Sequence, residues 1–343
     1  MPANYRIAIV GAASLRGKEL NDALGESPFA AADFVLMDDQ EAIGQLEAVG
    51  DEVTFIQQIT PASFAHTDFT FFTGSAELTR KHWETAAQAG SAIIDLSGAL
   101  DTEKDAVVLA PWVQQSVKAL NLQTPAAVPA HSAALMLAVL LGQVGQASAV
   151  RAAFATVLEP ASEYGRGAMD ELHQQTVSLL SFQSLPKALY DIQIAFNATP
   201  AAGPEGKIDL QATEARIRRH YALLAAGRLP TAAIQLVHAP VFHGHTMSIG
   251  LDLERAMTAE QLRQLLAANE HIEIASSDED APSNLAAAGQ EQLLVRVRSA
   301  EDESTAANRF WLWVAADNLK LSAVNAVACA VEMSRLRPHG QVQ

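Results

Sequence analysis

The chain has 343 residues, 49% of them hydrophobic and 18% charged, so it is long enough for about two domains with proper cores and too apolar to stay disordered. Lys plus Arg number 23 against 39 Asp plus Glu, a net charge of −16, which repels a nucleic-acid backbone or an anionic membrane surface, and neither is an expected partner. The longest apolar run, 133–141, is far short of the roughly 20 residues of a membrane span, no export signal is visible, and the single cysteine, Cys329, excludes an intrachain disulfide or a cysteine-based metal cluster; a cytoplasmic protein is expected.

The first strand is expected at Arg6-Ile7-Ala8-Ile9-Val10, a β-branched run ending in Gly11, and Gly11 to Gly17 leads into a helical pattern over 18–24. Short apolar runs follow at 34–37, 53–56, 69–72, 92–94 and 107–109, with a helix-compatible stretch at 76–88. Buried strands alternating with helices predict a mostly parallel sheet covered on both faces, the doubly wound Rossmann-type α/β architecture.

The pattern changes near residue 150. Longer strands are expected at 151–158, 192–197, 234–241, 246–253, 293–298 and 309–315, several alternating apolar with polar residues. Helices are expected at 168–180, 212–226 and 258–268, the last opened by Thr258 and Gln261 as a capping box. This is an α+β pattern. Loops are expected at 198–207 and 276–289, and a broadly apolar helix at 319–336 must pack on something.

Gly11 and Gly17 bracket a turn whose middle glycine position is Ser14, with Ala12 between. Such a turn lets backbone N–H groups approach a pyrophosphate at a helix N-terminus, and Ser14 either obstructs that approach or donates to it. Without a ligand the same residues make a tight strand-to-helix turn. Asp38, at the end of the second strand run and with no basic residue beside it, suits a ribose 2′-hydroxyl better than a 2′-phosphate; equally, it caps the strand end.

Several segments in order resemble the aspartate-semialdehyde dehydrogenase family. They are Ile9 to Glu19 for the nucleotide loop, Ile93-Ile94-Asp95-Leu96-Ser97-Gly98-Ala99, Val128-Pro129-Ala130-His131-Ser132-Ala133, Met169 to Thr176, Pro240-Val241-Phe242-His243-Gly244-His245-Thr246, and Asp317-Asn318-Leu319 with Asn325-Ala326-Val327. The resemblance implies a dinucleotide-binding domain from 1–130 plus 319–343, and an inserted α+β catalytic and dimerisation domain, 131–318. It also implies an NAD or NADP cofactor, a small-molecule ligand and a homodimer. The final helix is expected to dock back on the first domain.

The family's chemistry needs a thiolate that adds to an aldehyde, hydride transfer to nicotinamide, and phosphate attack on the thioester. At the matching cysteine position this chain has His131. The family's asparagine before it corresponds to Ala130, the substrate-holding glutamine to Glu159, the carboxylate-gripping arginine to His238, and the phosphate-binding arginine to Asp101. Arg216 resembles the family's substrate-segment lysine, and His245 matches its general base. The combination is similar to the usg-type paralogues, which keep the fold and lack the active cysteine. Loss of phosphorylating dehydrogenase activity is the expectation this resemblance implies.

Two other readings stand beside it. One is a dehydrogenase acting on another aldehyde through His131, His245 or Glu159. The other is a metal or hydrolytic site, since His243 and His245 at i, i+2 share one face of an extended segment and His131, His238 and Glu159 carry atoms that could complete a zinc-like set; no metal is the preferred reading. A non-enzymatic dimeric binding protein is a further alternative. Tyr164 to Gly167 is expected to be a loop, Trp311 and Trp313 a packing or dimer face, and His66, His82, His173, His220, His271 and His339 ordinary structural or surface residues.

Overall fold

The computed structural model describes residues 5–39, 42–49, 52–113, 120–121, 124–275 and 281–336. They form two compact units, 1–130 with 322–343 and 131–321.

The first unit opens with β1 (Arg6–Val10), α1 (Leu15–Gly25), β2 (Asp33–Asp38), β3 (Leu46–Val49), β4 (Glu52–Phe55), β5 (Gln57–Gln58) and β6 (Phe69–Phe72). It continues through α2 (Ala76–Gln88), β7 (Ala92–Asp95), β8 (Ala106–Leu109) and β9 (Ala126–Pro129). Seven of these strands make one sheet in the order β5-β2-β1-β6-β7-β9-β8, with every pairing parallel. β1, β6 and β7 are buried almost throughout, as a sheet covered on both faces requires. The 53–56 run departs from expectation: β4 pairs antiparallel with β3 in a separate two-stranded ribbon, Leu46 opposite Phe55.

The second unit contains α3 (Ser132–Gly145), β10 (Val150–Glu159), α4 (Arg166–Leu180), α5 (Leu210–Ala225), β11 (Ala232–His238) and β12 (His245–Met257). It then adds α6 (Ala259–Ala267), β13 (Ile272–Ile274), β14 (Leu293–Ser299) and β15 (Ala307–Ala316), and α7 (Asn318–Leu336) starts within it. The sheet order is β11-β10-β12-β15-β14-β13; β10–β11 and β13–β14 run parallel and the other pairs antiparallel. The capping box of Thr258 and Gln261 is formed at α6.

α3 is the apolar run 133–141, every residue of it buried, and it packs against α5, α6 and β10. A helix apolar on all sides belongs at the centre of a unit, and that burial fixes its N-terminus inside the protein. The 192–197 stretch is not a strand. Much of its backbone is served by Gln175 of α4, which accepts from the N–H groups of Ile194 and Ala195 and donates to the Ile192 carbonyl. Phe196 meanwhile takes φ +57°, which no strand accommodates. Tyr164 to Gly167 is regular structure rather than a loop, a 3₁₀ turn, Ala161–Tyr164, running into α4. From Ala323 to Met333, α7 buries Ala326, Cys329 and Ala330 among Ile7, Phe71 and Ile94 of the first unit, which gives its apolar face the expected destination.

Candidate active site

In the first unit, β1 hands the chain to α1 through a turn closed by its own polar groups. The N–H groups of Gly11 and Ala12 both reach the Met37 carbonyl, and Ser14 N–H reaches the Gly11 carbonyl. Ala13 N–H donates to Asp38 Oδ2 at 2.8 Å, while Oδ1 of the same carboxylate accepts from Asp39 N–H. Burial pushes the Asp38 carboxyl up, and these two N–H groups oppose the shift.

Ser14 is the N-cap of α1: its Oγ accepts from Gly17 N–H at 2.9 Å and donates to the Thr73 carbonyl. The hydroxyl therefore turns into the loop, and its proton is committed there. Gly11 sits at φ +88°, and a Cβ on it would come within 2.3 Å of Gly74 N; one on Gly17 would come within 2.5 Å of the Gly11 carbonyl. These glycines let strand and helix approach closely. The first-turn N–H groups of Leu15 and Arg16, which have no helical carbonyl four residues before them, stand at the positive end of α1. The N–H groups of Gly11, Ala12, Ala13, Ser14 and Gly17 are all engaged by protein groups, and both Asp38 oxygens are taken up by backbone N–H groups, so the turn is closed by protein contacts.

The second unit holds a cluster of titratable side chains in its interior. His131, Ser132, Glu159, His220, His238 and His245 are each no more than 4% exposed, and Glu163 is 9% exposed. His131 is the N-cap of α3, its Nδ1 accepting from Ala133 N–H at 3.2 Å. With Nδ1 occupied as an acceptor, the ring proton sits on Nε2, which faces Glu163 Oε1 at 3.4 Å. Burial drives the His131 imidazole well below its ordinary range; Glu163 opposes the shift, and Arg216, His245 and His220 reinforce it. His131 is thus a neutral capping group without a free lone pair for attack on carbon.

His220, expected to be an ordinary residue, is fully buried on α5 and accepts the His131 backbone N–H on Nδ1 at 2.9 Å. Arg216 lies one turn earlier on the same helix, half-buried. Asn318, the first residue of α7, donates through Nδ2 to Glu163 Oε2 at 3.0 Å and accepts from Ser162 Oγ and Gly244 N–H. Sequence reasoning did not single out Ser132, Glu163 or Asn318 for a role.

His245, at the start of β12, places Nδ1 3.2 Å from Ser132 Oγ and Nε2 3.8 Å from Glu159 Oε2. Glu159 ends β10 opposite His238 at the end of β11. Burial pushes the Glu159 carboxyl up, with His245 pulling it back. The His245 and Tyr164 side chains face the Glu159 carboxyl, whereas neither His238 ring nitrogen has a hydrogen-bonding partner. The His238 ring lies 4.7 Å from that of Tyr190, and burial lowers its pKa to about 4. It is neutral at physiological pH, so it cannot grip a carboxylate as a cation would.

His243 and His245 do not share a face. Gly244 at φ +86° turns the chain between them, so His243 pairs with Asp317 at 2.8 Å and Ser162 at 3.1 Å while His245 enters the cluster around Ser132. Among the described residues, no group of three or more His, Cys, Asp or Glu side chains is arranged to hold a metal ion. Cys329 is wholly buried in the core of the other unit, 3.8 Å from the Leu109 carbonyl, and burial pushes its thiol far up.

Comparison with known proteins agrees with this architecture. Residues 6–120 match the semialdehyde dehydrogenase NAD binding domain and 144–321 the semialdehyde dehydrogenase dimerisation domain. An aspartate-semialdehyde dehydrogenase of Rickettsia bellii is 26% identical over 97% of this chain and 98% of its own length. A USG-1 protein homolog of Pseudomonas aeruginosa is 31% identical over 95% of this chain and 97% of its own. The structure of a probable aspartate-semialdehyde dehydrogenase from Pseudomonas aeruginosa superposes with a TM-score of 0.84 at 26% identity, covering 98% of this chain and 99% of that one. With both family domains matched in order along the chain, the protein belongs to the aspartate-semialdehyde dehydrogenase family.

Proposed function

We propose that this chain is a homodimeric, cytoplasmic member of the family that binds a nicotinamide dinucleotide and a small molecule but does not carry out phosphorylating dehydrogenation. The observation that carries the reading is the position of the thiol. Oxidising an aldehyde to an acyl phosphate needs a nucleophile that adds to the carbonyl, holds the acyl group and releases it to phosphate, and a low-pKa thiolate does this. The only cysteine, Cys329, lies in the core of the first unit with its ionisation suppressed.

His131, the residue at the family's cysteine position by sequence resemblance, has its Nδ1 engaged in capping α3. His238 and Asp101 replace cations that would hold the two anionic substrates. The dimer reading is supported by the match to a dimerisation domain and by an apolar row on the second sheet. Phe154, Gly250 and Trp311 sit side by side across β10, β12 and β15, with Phe154 63% and Trp311 53% exposed.

The test is turnover of aspartate semialdehyde with phosphate and NAD or NADP by the purified protein. The expected result is no production of reduced nicotinamide above that of a Cys329→Ala variant. Cofactor-dependent turnover at ordinary enzymatic rates overturns the reading. Titration of both nicotinamides is expected to give binding without turnover.

A further inference from the structure

Ser132 is the first residue of α3, buried, with Oγ 3.2 Å from His245 Nδ1. On the far side of that ring, Nε2 faces Glu159 Oε2 at 3.8 Å. This is the order hydroxyl, imidazole, carboxylate. All three side chains are nine-tenths or more buried, and the Glu159 carboxyl is held against the His245 ring with Tyr164 beside it.

An ionised Glu159 favours the tautomer with the proton on Nε2, which leaves the Nδ1 lone pair directed at the Ser132 hydroxyl. Ser132 also stands at the positive end of α3, where first-turn N–H groups favour negative charge developing on an adjacent oxygen. His131 and His220 strengthen this frame: each ring nitrogen that accepts a backbone N–H fixes the turn from which Ser132 projects.

We infer that Ser132 is the nucleophile of an acyl-transfer site for short-chain carboxylic esters, with His245 as its base and Glu159 as the residue that positions His245. Ser132 Oγ adds to the ester carbonyl while His245 Nδ1 takes the hydroxyl proton. The bond from the carbonyl carbon to the alcohol oxygen then breaks, and His245 delivers that proton to the departing oxygen. Water next adds to the acyl-serine, giving one proton to His245, which returns it to Ser132 Oγ as the acyl–Oγ bond breaks. The sum is ester plus water to carboxylic acid plus alcohol, with no change of oxidation state. Because Ser132, His245 and Glu159 are all buried, a small acetyl ester is the appropriate probe.

A second serine–histidine–carboxylate sequence, Ser162, His243 and Asp317, does not have this character. The Ser162 proton goes to Asn318 Oδ1, and Asp317 is saturated by the N–H groups of Gly289, Leu319 and Lys320. It braces the start of α7.

The inference builds on the absence of a thiol at this site, but an ester assay contains neither nicotinamide nor phosphate, so its failure leaves the proposed loss of dehydrogenase activity standing. The experiment treats the full-length protein with a fluorophosphonate probe and follows p-nitrophenyl acetate hydrolysis. Expected are a single phosphonylated site on Ser132, loss of hydrolysis to background in Ser132→Ala and His245→Gln, and unchanged labelling in Ser162→Ala. Glu159→Gln is expected to lower kcat about tenfold or more and to alter the pH profile, which a purely structural role would not do. Should Ser132→Ala fail to fold, Ser132→Cys supplies the second measurement. Its introduced thiol is expected to alkylate with a pH profile at least about one unit below that of free cysteine, moving back in Glu159→Gln. Labelling on Ser162 or nowhere, hydrolysis equal in wild type and Ser132→Ala, or an ordinary thiol profile in Ser132→Cys overturns the inference.

Discussion

The strand-to-helix turn of the first unit and the histidine–glutamate cluster of the second treat buried polar groups in opposite ways. In the turn, both Asp38 oxygens, the Ser14 hydroxyl and the N–H groups from Gly11 to Ser14 have partners in the turn itself or on the neighbouring strands. In the cluster, both ring nitrogens of His238 and the Tyr190 hydroxyl have none, and the fully buried Glu159 carboxyl has only the His245 and Tyr164 side chains. A buried unpaired polar group costs about 1–3 kcal/mol, so the first region is the better satisfied of the two and the second carries a standing penalty.

The contrast breaks most visibly at Gly11. A Cβ there meets Gly74 N at 2.3 Å on a backbone at φ +88°, so both the clash and the backbone conformation oppose any side chain. Gly11→Ala is expected to lower unfolding free energy by about 3–4 kcal/mol in denaturant titration. An effect below about 1 kcal/mol means the turn is not closed as described.

The next effect belongs to the cluster and is read by pH. His238 titrates at about 4 in the folded protein against an ordinary 6.5. On acidification the unfolded chain takes up the proton first, so stability falls as pH drops from 6.5 to 4 and levels off below. The loss from this one group is about 3 kcal/mol, and His131 adds to it with the same sign. His238→Leu is expected to flatten that part of the stability–pH curve, and an unchanged slope excludes a neutral buried imidazole.

A pair of carboxylate variants sharpens the comparison at smaller amplitude. Asp38→Ala leaves the Ala13 N–H without its acceptor and is expected to destabilise by about 1–2 kcal/mol. Glu159→Gln removes a fully buried charge whose desolvation outweighs the pull of His245 and Tyr164, and is expected to stabilise by about 1–2 kcal/mol at pH 8. Because the folded carboxyl titrates above its unfolded value, stability contributed by protonation is present at low pH and lost as pH rises through the folded pKa. The gain in Glu159→Gln therefore shrinks on acidification. Two changes of the same sign at pH 8 erase the distinction between the regions.

Parallel strands such as β1 and β6 were legible because their β-branched or aromatic residues form short runs bounded by turn residues. α3 was not, since a helix buried on every side has no 3.6-residue alternation. Residues 192–197 imitate a strand because their apolar spacing is strand-like, and only the fold reveals Gln175 as the partner of their backbone. At the site, His131, Glu159, His245 and Arg216 came from sequence resemblance. His220, Glu163 and Asn318 required the fold, because their contacts join positions 89 and 155 residues apart. No local spacing records such pairings. Ser132 was in view within the Pro-Ala-His-Ser segment, yet its significance depends on where His245 points.

The smallest effect is expected at Cys329, and it bears on the same division. The thiol is wholly buried in α7 and packs with Ile7, Phe71 and Ala330 in the first unit, where it serves as a small apolar filler. Cys329→Ala removes one sulfur from that core and is expected to cost about 1 kcal/mol, through lost contacts and a small cavity. It should leave p-nitrophenyl acetate hydrolysis unchanged, because no part of the serine–histidine–glutamate arrangement touches it. Native protein should resist iodoacetamide at neutral pH and react only as denaturant opens the core, since both burial and a suppressed thiolate block attack. Rapid alkylation of the folded protein would place the thiol within reach of solvent and restore it as a nucleophile; slow alkylation tracking global unfolding keeps the chemistry of this chain on oxygen and nitrogen.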